Sequence, residues 1–263
     1  MKTLSISVLF CFLFALPVQA IKAVKAKQKV KFVMTGDKGT NGAGVAWNTK
    51  AKVYYACFAG NESYPLMMFS KKGKLINETL KTLADVRGFW FNSSQNRIEG
   101  NAYLDENTSP GYFYRNVDSK GVPGADTYVK FPELDAPTEQ SVAAYDFNND
   151  ELVYRDREYV TRFSKKDGMK KGGLTLSLPE GVSWDDISEY SIIYTGKKGE
   201  EYGVLDYSRG KVYLFDSSTG LATKSVTLPE EAPDPKMFNF SYANNMFWVF
   251  STLSRTWYGY SHG

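Results

Sequence analysis

Gly44-Val45-Ala46-Trp47-Asn48 and Gly88-Phe89-Trp90-Phe91-Asn92 follow one plan, a short apolar stretch that ends in an aromatic residue and a turn former. Ser141-Val142-Ala143-Ala144-Tyr145-Asp146, Ser191-Ile192-Ile193-Tyr194-Thr195 and Asn239-Phe240-Ser241-Tyr242-Ala243 repeat it, which places Trp47, Phe91, Tyr145, Tyr194 and Tyr242 at intervals of 44, 54, 49 and 48 residues. A second marker follows in four of the units, a strand that runs into a glycine turn: Phe69-Ser70-Lys71-Lys72-Gly73, Asn116 to Gly121, Phe163 to Gly168 and Phe215 to Gly220. Glycine supplies the positive φ that such hairpins require, and Asp, Ser and Lys tolerate the exposed tip. Each unit therefore reads as four short antiparallel strands.

A repeat of about fifty residues points to a β-propeller, in which each unit forms one blade. The last unit runs Phe238 to Tyr242, Met246 to Ser251 and Trp257 to Tyr260, and lacks a fourth strand. Lys31-Phe32-Val33-Met34-Thr35 precedes the first inner strand and belongs to no blade of its own, so it is expected to pair with Trp257-Tyr258-Gly259-Tyr260 and close the ring. Such closure removes the open sheet edge of a linear array. The expected fold is an all-β, five-bladed β-propeller of four-stranded antiparallel blades over residues 31–263, closed by its N- and C-terminal strands. A six-bladed ring is the alternative, because the longest interval contains the stretch Gly121 to Thr138. Asn77 to Val86 is the one segment that could form a helical turn or two.

The glycine turns, such as Phe215-Asp216-Ser217-Ser218-Thr219-Gly220, resemble those of secreted propellers with NHL or YVTN-like repeats. Five units of this size are also similar to the tachylectin-type sugar-binding propellers and the arabinanase-like glycosidases. The resemblance implies a propeller frame; no site residue is carried over from these families.

Lys2, the apolar run Leu4 to Leu16 and the small-residue end Val18-Gln19-Ala20 form the pattern of a signal peptide over residues 1–20. Cys11 lies inside the apolar run without a lipobox before it, and no later segment has the ~20 apolar residues of a membrane span. The expected product is secreted or extracellular, or periplasmic if bacterial, and starts near Ile21. It carries 31 Lys and Arg (32 less Lys2) against 29 Asp and Glu, a net charge of +2, which is too weak a basic footprint for nucleic-acid binding. Lys22, Lys25, Lys27, Lys29 and Lys31 read as a solvated leader over residues 21–30 and its continuation, rather than a lipid or polyanion arm. Cys57 is then the only cysteine, so no internal disulfide forms, and its apolar neighbours Val53, Tyr54, Tyr55 and Phe58 mark a buried, inert thiol. Sequons at Asn61, Asn77, Asn92 and Asn107 are candidate glycosylation sites; a fifth, at Asn239, falls in an inner strand.

His262 is the only histidine, so Ser-His-Asp and Cys-His catalysis and a His/Cys zinc site are excluded. Carboxylate chemistry remains, since glycoside hydrolysis requires two Asp or Glu facing each other across the scissile bond. If a ligand enters where the inner strands start and the second and third strands are joined, Asp85, Glu139 and Glu189 are the carboxylates to consider, and Arg87, Gln140, Tyr64, Trp184, Arg209 and Arg255 the ligand-binding residues. Asp146-Phe147-Asn148-Asn149-Asp150 alternates oxygen ligands as a calcium loop does, but Glu151 stands where an EF-hand requires glycine, and a hairpin turn is the better reading. No cofactor is implied; Ca²⁺ is the one candidate. Asn48, Asn92 and Asp146 each open a turn, where Asx side chains bond their own backbone. Most of the 18 Tyr, 17 Phe and 5 Trp are assigned to packing between blades. The leading function is a non-catalytic propeller that binds a glycan, small ligand or extracellular protein at the channel mouth. The alternative is a carboxylate-dependent polysaccharide hydrolase or lyase.

Overall fold

The computed structural model describes residues 21–36, 38–103, 111–125, 128–131 and 140–262, and for 128–131 the backbone alone. The chain opens with β1 (Lys22–Lys25) and β2 (Lys27–Val33). The first blade is β3 (Gly42–Asn48), β4 (Val53–Phe58), β5 (Leu66–Ser70) and β6 (Leu75–Asn77); the second is β7 (Asp85–Asn92), β8 (Arg97–Tyr103), β9 (Gly111–Asn116) and β10 (Tyr128–Phe131). The third comprises β11 (Ala144–Asp146), β12 (Glu151–Asp156), β13 (Tyr159–Ser164) and β14 (Lys170–Thr175). The fourth holds β15 (Ile193–Tyr194), β16 (Tyr202–Asp206), β17 (Lys211–Phe215) and β18 (Ala222–Thr227), and the fifth β19 (Phe240–Ala243), β20 (Met246–Ser251) and β21 (Thr256–Ser261). Strand order within each blade follows the chain, so every blade is an antiparallel meander and the ring has five blades, not six.

The ring is closed by β2, which pairs antiparallel with β21 and sets Lys31 opposite Tyr258 and Phe32 opposite Trp257. The closing strand thus begins four residues earlier than the sequence suggests. Phe32 explains the pairing energetically: its ring stacks on Phe69 at 4.2 Å and lies 4.9 Å from Trp248, so one side chain joins the fifth blade to the first. The expected solvated leader is also ordered. β1 adds to the fourth blade as a fifth strand, parallel to β18, while its lysines stay exposed. Residues 78–84 form no helix; they return beside Tyr64 and Pro65, and the one helix among the described residues is the 3₁₀ turn Trp184–Asp186.

Four of the five seams between blades are apolar, built from large side chains of facing sheets such as Tyr55, Met68 and Phe89, or Tyr54, Trp248 and Trp257. Cys57 lies in one of them, fully buried, and burial pushes its thiol pKa up and keeps it inert. The seam between blades two and three differs. Among the described residues its apolar cluster is small, and Glu99, fully buried, occupies the rest. Where inner strands meet, side chains satisfy backbone groups that no sheet reaches. Asn101 donates to Ser141 O at 2.9 Å and accepts from Ala143 N at 3.0 Å, and Asn239 accepts from Gly42 N at 2.6 Å.

Candidate functional site

The inner strands β3, β7, β11, β15 and β19 end together around one mouth of the channel, where each turns back into the second strand of its blade. Asx geometry fixes three of these turns. Asn48 Oδ1 accepts from Lys50 N and Ala51 N, Asn92 Oδ1 from Ser94 N and Gln95 N, and Asp146 Oδ1 from Asn148 N and Asn149 N. The calcium-like stretch 146–150 is accordingly a hairpin turn between β11 and β12.

Between these turns lies a cavity of about 540 Å³ whose wall includes Trp47, Trp90, Tyr145, Phe147, Tyr194 and Tyr242. The aromatic residues that mark the repeat thus converge on one place. The lining includes hydroxyl and amide groups from Thr49, Ser93, Ser94, Asn244 and Asn245, and, among the described residues, no Asp, Glu, Lys or Arg. Trp90 stacks on Tyr145 at 5.4 Å and 21°. Phe147 is 56% exposed, meets the edge of Tyr194 at 5.1 Å and 84°, and leans over Gly196. Gly196 has a positive φ (+70°), which side chains rarely adopt, and a Cβ there would displace the exposed Phe147 ring, so the glycine is favoured by its backbone.

A buried charge cluster stands behind the cavity wall. The Glu99 carboxylate accepts from Trp90 Nε1 at 3.1 Å, Asn92 Nδ2 at 2.9 Å, Arg97 Nε at 2.6 Å and Lys165 Nζ at 3.2 Å. Trp90 and Asn92 both line the cavity, so one carboxylate fixes two wall residues. Lys165, only 4% exposed, also pairs with Asp150 at 3.1 Å, and Tyr145 OH donates to Asp150 at 2.8 Å. Burial, and then the Asp150 carboxylate, hold the Tyr145 phenol well above its ordinary pKa; burial and Glu99 do the same to Tyr112.

The site residues expected from sequence that are among the described residues belong to the opposite mouth. Asp85 and Arg87 are brought together there at 2.8 Å; Asp85 also accepts from Gly60 N at 2.6 Å, and Arg87 lies 4.7 Å above the Tyr103 ring. Tyr64 packs edge-on against Phe58 at 5.8 Å. Trp184 lies 5.6 Å from the guanidinium of Arg155, which donates to Ser188 O, Ser191 O and Arg157 O; burial lowers the Arg155 pKa to about 10. Arg209 is held by Asp186 at 2.7 Å and Asp206 at 3.0 Å, and Arg255 donates to Gly36 O. Gln140 is half-buried ahead of β11, and Glu189 is exposed. None of these residues lines the 540 Å³ cavity or the smaller hollow of about 430 Å³ beside Glu231, Asp234 and Lys236 on their own side. Glu139 and Asn107 lie outside the described residues.

Of the sequons, Asn61 is exposed and Asn77 half-buried, and each Oδ1 accepts from the backbone N and hydroxyl of the residue two positions on. Asn92 is 3% exposed and its Nδ2 is bonded to Glu99, which removes it as an acceptor of a glycan. Asn239 is buried in the same way.

No family model matches the chain, and no curated protein matches it. Solved structures do match. Over 92% of this chain and 97% of the other, the fold is similar to that of Myxococcus xanthus glutaminyl cyclase, with a TM-score of 0.58 and 11% identity. Weaker likenesses are a nidogen/laminin complex (TM-score 0.41, 12% identity, covering 72% of this chain and 80% of that one) and BamB from Moraxella catarrhalis (TM-score 0.37, 10% identity, 90% and 98%). The protein is a β-propeller, and likeness at this identity shows the fold alone.

Proposed function

We propose that the protein is an exported, non-catalytic propeller that binds an uncharged ligand, foremost a glycan, in the aromatic cavity where its inner strands end. The supporting observation is that cavity itself. Its volume falls within the ~300–1,000 Å³ of small-ligand pockets, and its wall combines flat aromatic faces with hydroxyl and amide groups and, among the described residues, no formal charge. Aromatic faces suit the apolar C–H faces of a sugar, and the surrounding amides and hydroxyls suit its hydroxyl groups. No observation favours the hydrolase reading. Asp85 is engaged by Arg87 and Gly60 N, and neither Asp85 nor Glu189 reaches the cavity.

Export rests on the residues 1–20 pattern alone, and among the described residues Asn61 and Asn77 are the sequons that remain available to a glycosylating host, beside Asn107, which lies outside them. Sequencing the N-terminus of the secreted product tests the first point, with Ile21 expected first. The binding test is a glycan-array screen of the mature protein and of Phe147→Ala, with mass spectrometry of every positive. Retained glycans that Phe147→Ala no longer holds support the reading. Cleaved products, or binding that Phe147→Ala leaves unchanged, would refute it.

A further inference from the structure

β1 and β2 lie on the outer rim of the fourth and fifth blades, and their lysines, Lys22, Lys25, Lys27, Lys29 and Lys31, are all exposed. The turn between β5 and β6 continues the row. Gly73 abuts the Lys31 carbonyl so closely that a Cβ there would collide with it, and Lys71, Lys72 and Lys74 around it are exposed. Residues 21–35 and 70–77 contain no Asp or Glu. Neither do the strands hydrogen-bonded to them, β18, β21 and β5. None of the eight lysines has a carboxylate partner among the described residues.

We infer that this rim is a second binding site, separate from the channel, for a flexible acidic polysaccharide carrying sulfate or carboxylate groups. Lysines on outer strands do protect a sheet edge from pairing with another chain, but that needs only scattered charge, whereas here eight exposed lysines gather on adjoining outer strands, with Glu78, just past β6 and bonded to Thr35, at their margin. Along β2 a bulge between Gln28 and Val30 interrupts the alternation, so Lys27, paired with Ser261, and Lys31, paired with Tyr258, stand on opposite sides of this outermost strand and both of its flanks carry cations. Shape selects the partner. Five blades place neighbours about 72° apart around the ring (360°/5), so the outer strands of blades four, five and one face directions spread over about 144°. A flat bilayer meets only a part of such an arc, whereas a flexible polyanion follows it.

The test is salt-dependent binding of the mature protein to dextran sulfate and to polygalacturonate. It is compared with a variant carrying Lys→Gln at 22, 25, 27, 29 and 31 and with a control carrying Lys→Gln at the exposed positions 50, 81, 120, 166 and 198. The two variants have the same net charge. At low salt the rim variant is expected to bind either polymer roughly tenfold more weakly or worse, while the control stays close to wild type, and binding falls steeply as salt rises. Equal losses in both variants would mean that net charge alone is at work, and unchanged binding by the rim variant would place the site elsewhere; each overturns the inference. So would sedimentation with phosphatidylcholine–phosphatidylserine vesicles without binding to either polymer. Because neither polymer is an uncharged glycan, failure here leaves the channel reading standing, and the reverse also holds.

Discussion

Glu99 is the residue on which the cavity wall depends. It is fully buried with Arg97 and Lys165 on it, and its loss removes the carboxylate paired with Arg97 and one of the two paired with Lys165, in a seam that has little apolar packing of its own. Breaking a buried ion pair by removing one partner destabilises by about 3–5 kcal/mol. Glu99→Ala is therefore expected to lower the unfolding free energy by that amount in urea titrations; a loss below about 1 kcal/mol would show that the cluster contributes nothing net. At this scale the sequence was legible only where chemistry is local. Asn48, Asn92 and Asp146 each bond backbone two and three residues ahead, so their turn role followed from the sequence. Nothing local links Glu99 to Lys165, 66 residues away. The same partner set explains why Asn92 reads as an open sequon but lies sealed inside the wall.

At the scale of elements, the closing strand carries the architecture. Phe32 is 2% exposed between Phe69 and Trp248, and truncation of a buried Phe to Ala costs about 3–5 kcal/mol. For a domain of this size that corresponds to a fall in Tm of roughly 6–20 °C for Phe32→Ala, measured by calorimetry. A Tm within 2 °C of wild type, taking about one degree of repeatability, would mean that β2 does not close the ring. The pairing of β2 with β21 was readable because Phe32 and Met34 stand out in a stretch with no blade of its own. β1 was not readable: Lys22-Ala23-Val24-Lys25 has too little apolar pattern to announce a strand, and it is held by parallel backbone pairing to β18, which no local signal reports.

For the whole molecule, packing through tyrosine makes stability sensitive to alkali. Burial raises the phenol pKa of Tyr55 and Tyr242 to about 12 and pushes Tyr112, Tyr154, Tyr202 and Tyr260 up as well. Above the ordinary value near 10 the unfolded chain releases these protons while the folded chain keeps them, so unfolding free energy falls as pH rises from about 10 towards 12. Arg155 opposes this, since its pKa is lowered in the folded state, but it is one group against many. Urea midpoints that are flat up to pH 10 and drop steeply above it are expected; midpoints unchanged at pH 12 would contradict the burial of these phenols. The five-fold repeat was legible across the whole chain because its period is a property of sequence. The cavity was not, because its mouth is set by which ends of the inner strands leave space between them. The charged loops at the strand starts attract the eye, yet Asp85, Arg87 and Arg209 are tied up in ion pairs, while the 540 Å³ cavity lies at the other end, with no charged side chain among its described lining residues.

The most direct test of the channel reading is a crystal structure of the mature protein with a glycan selected by the array. The account predicts a sugar ring in the cavity between Trp47, Trp90, Phe147 and Tyr194. A sugar held instead at the opposite mouth, over Arg87 and Trp184 or beside Asp85, would contradict it.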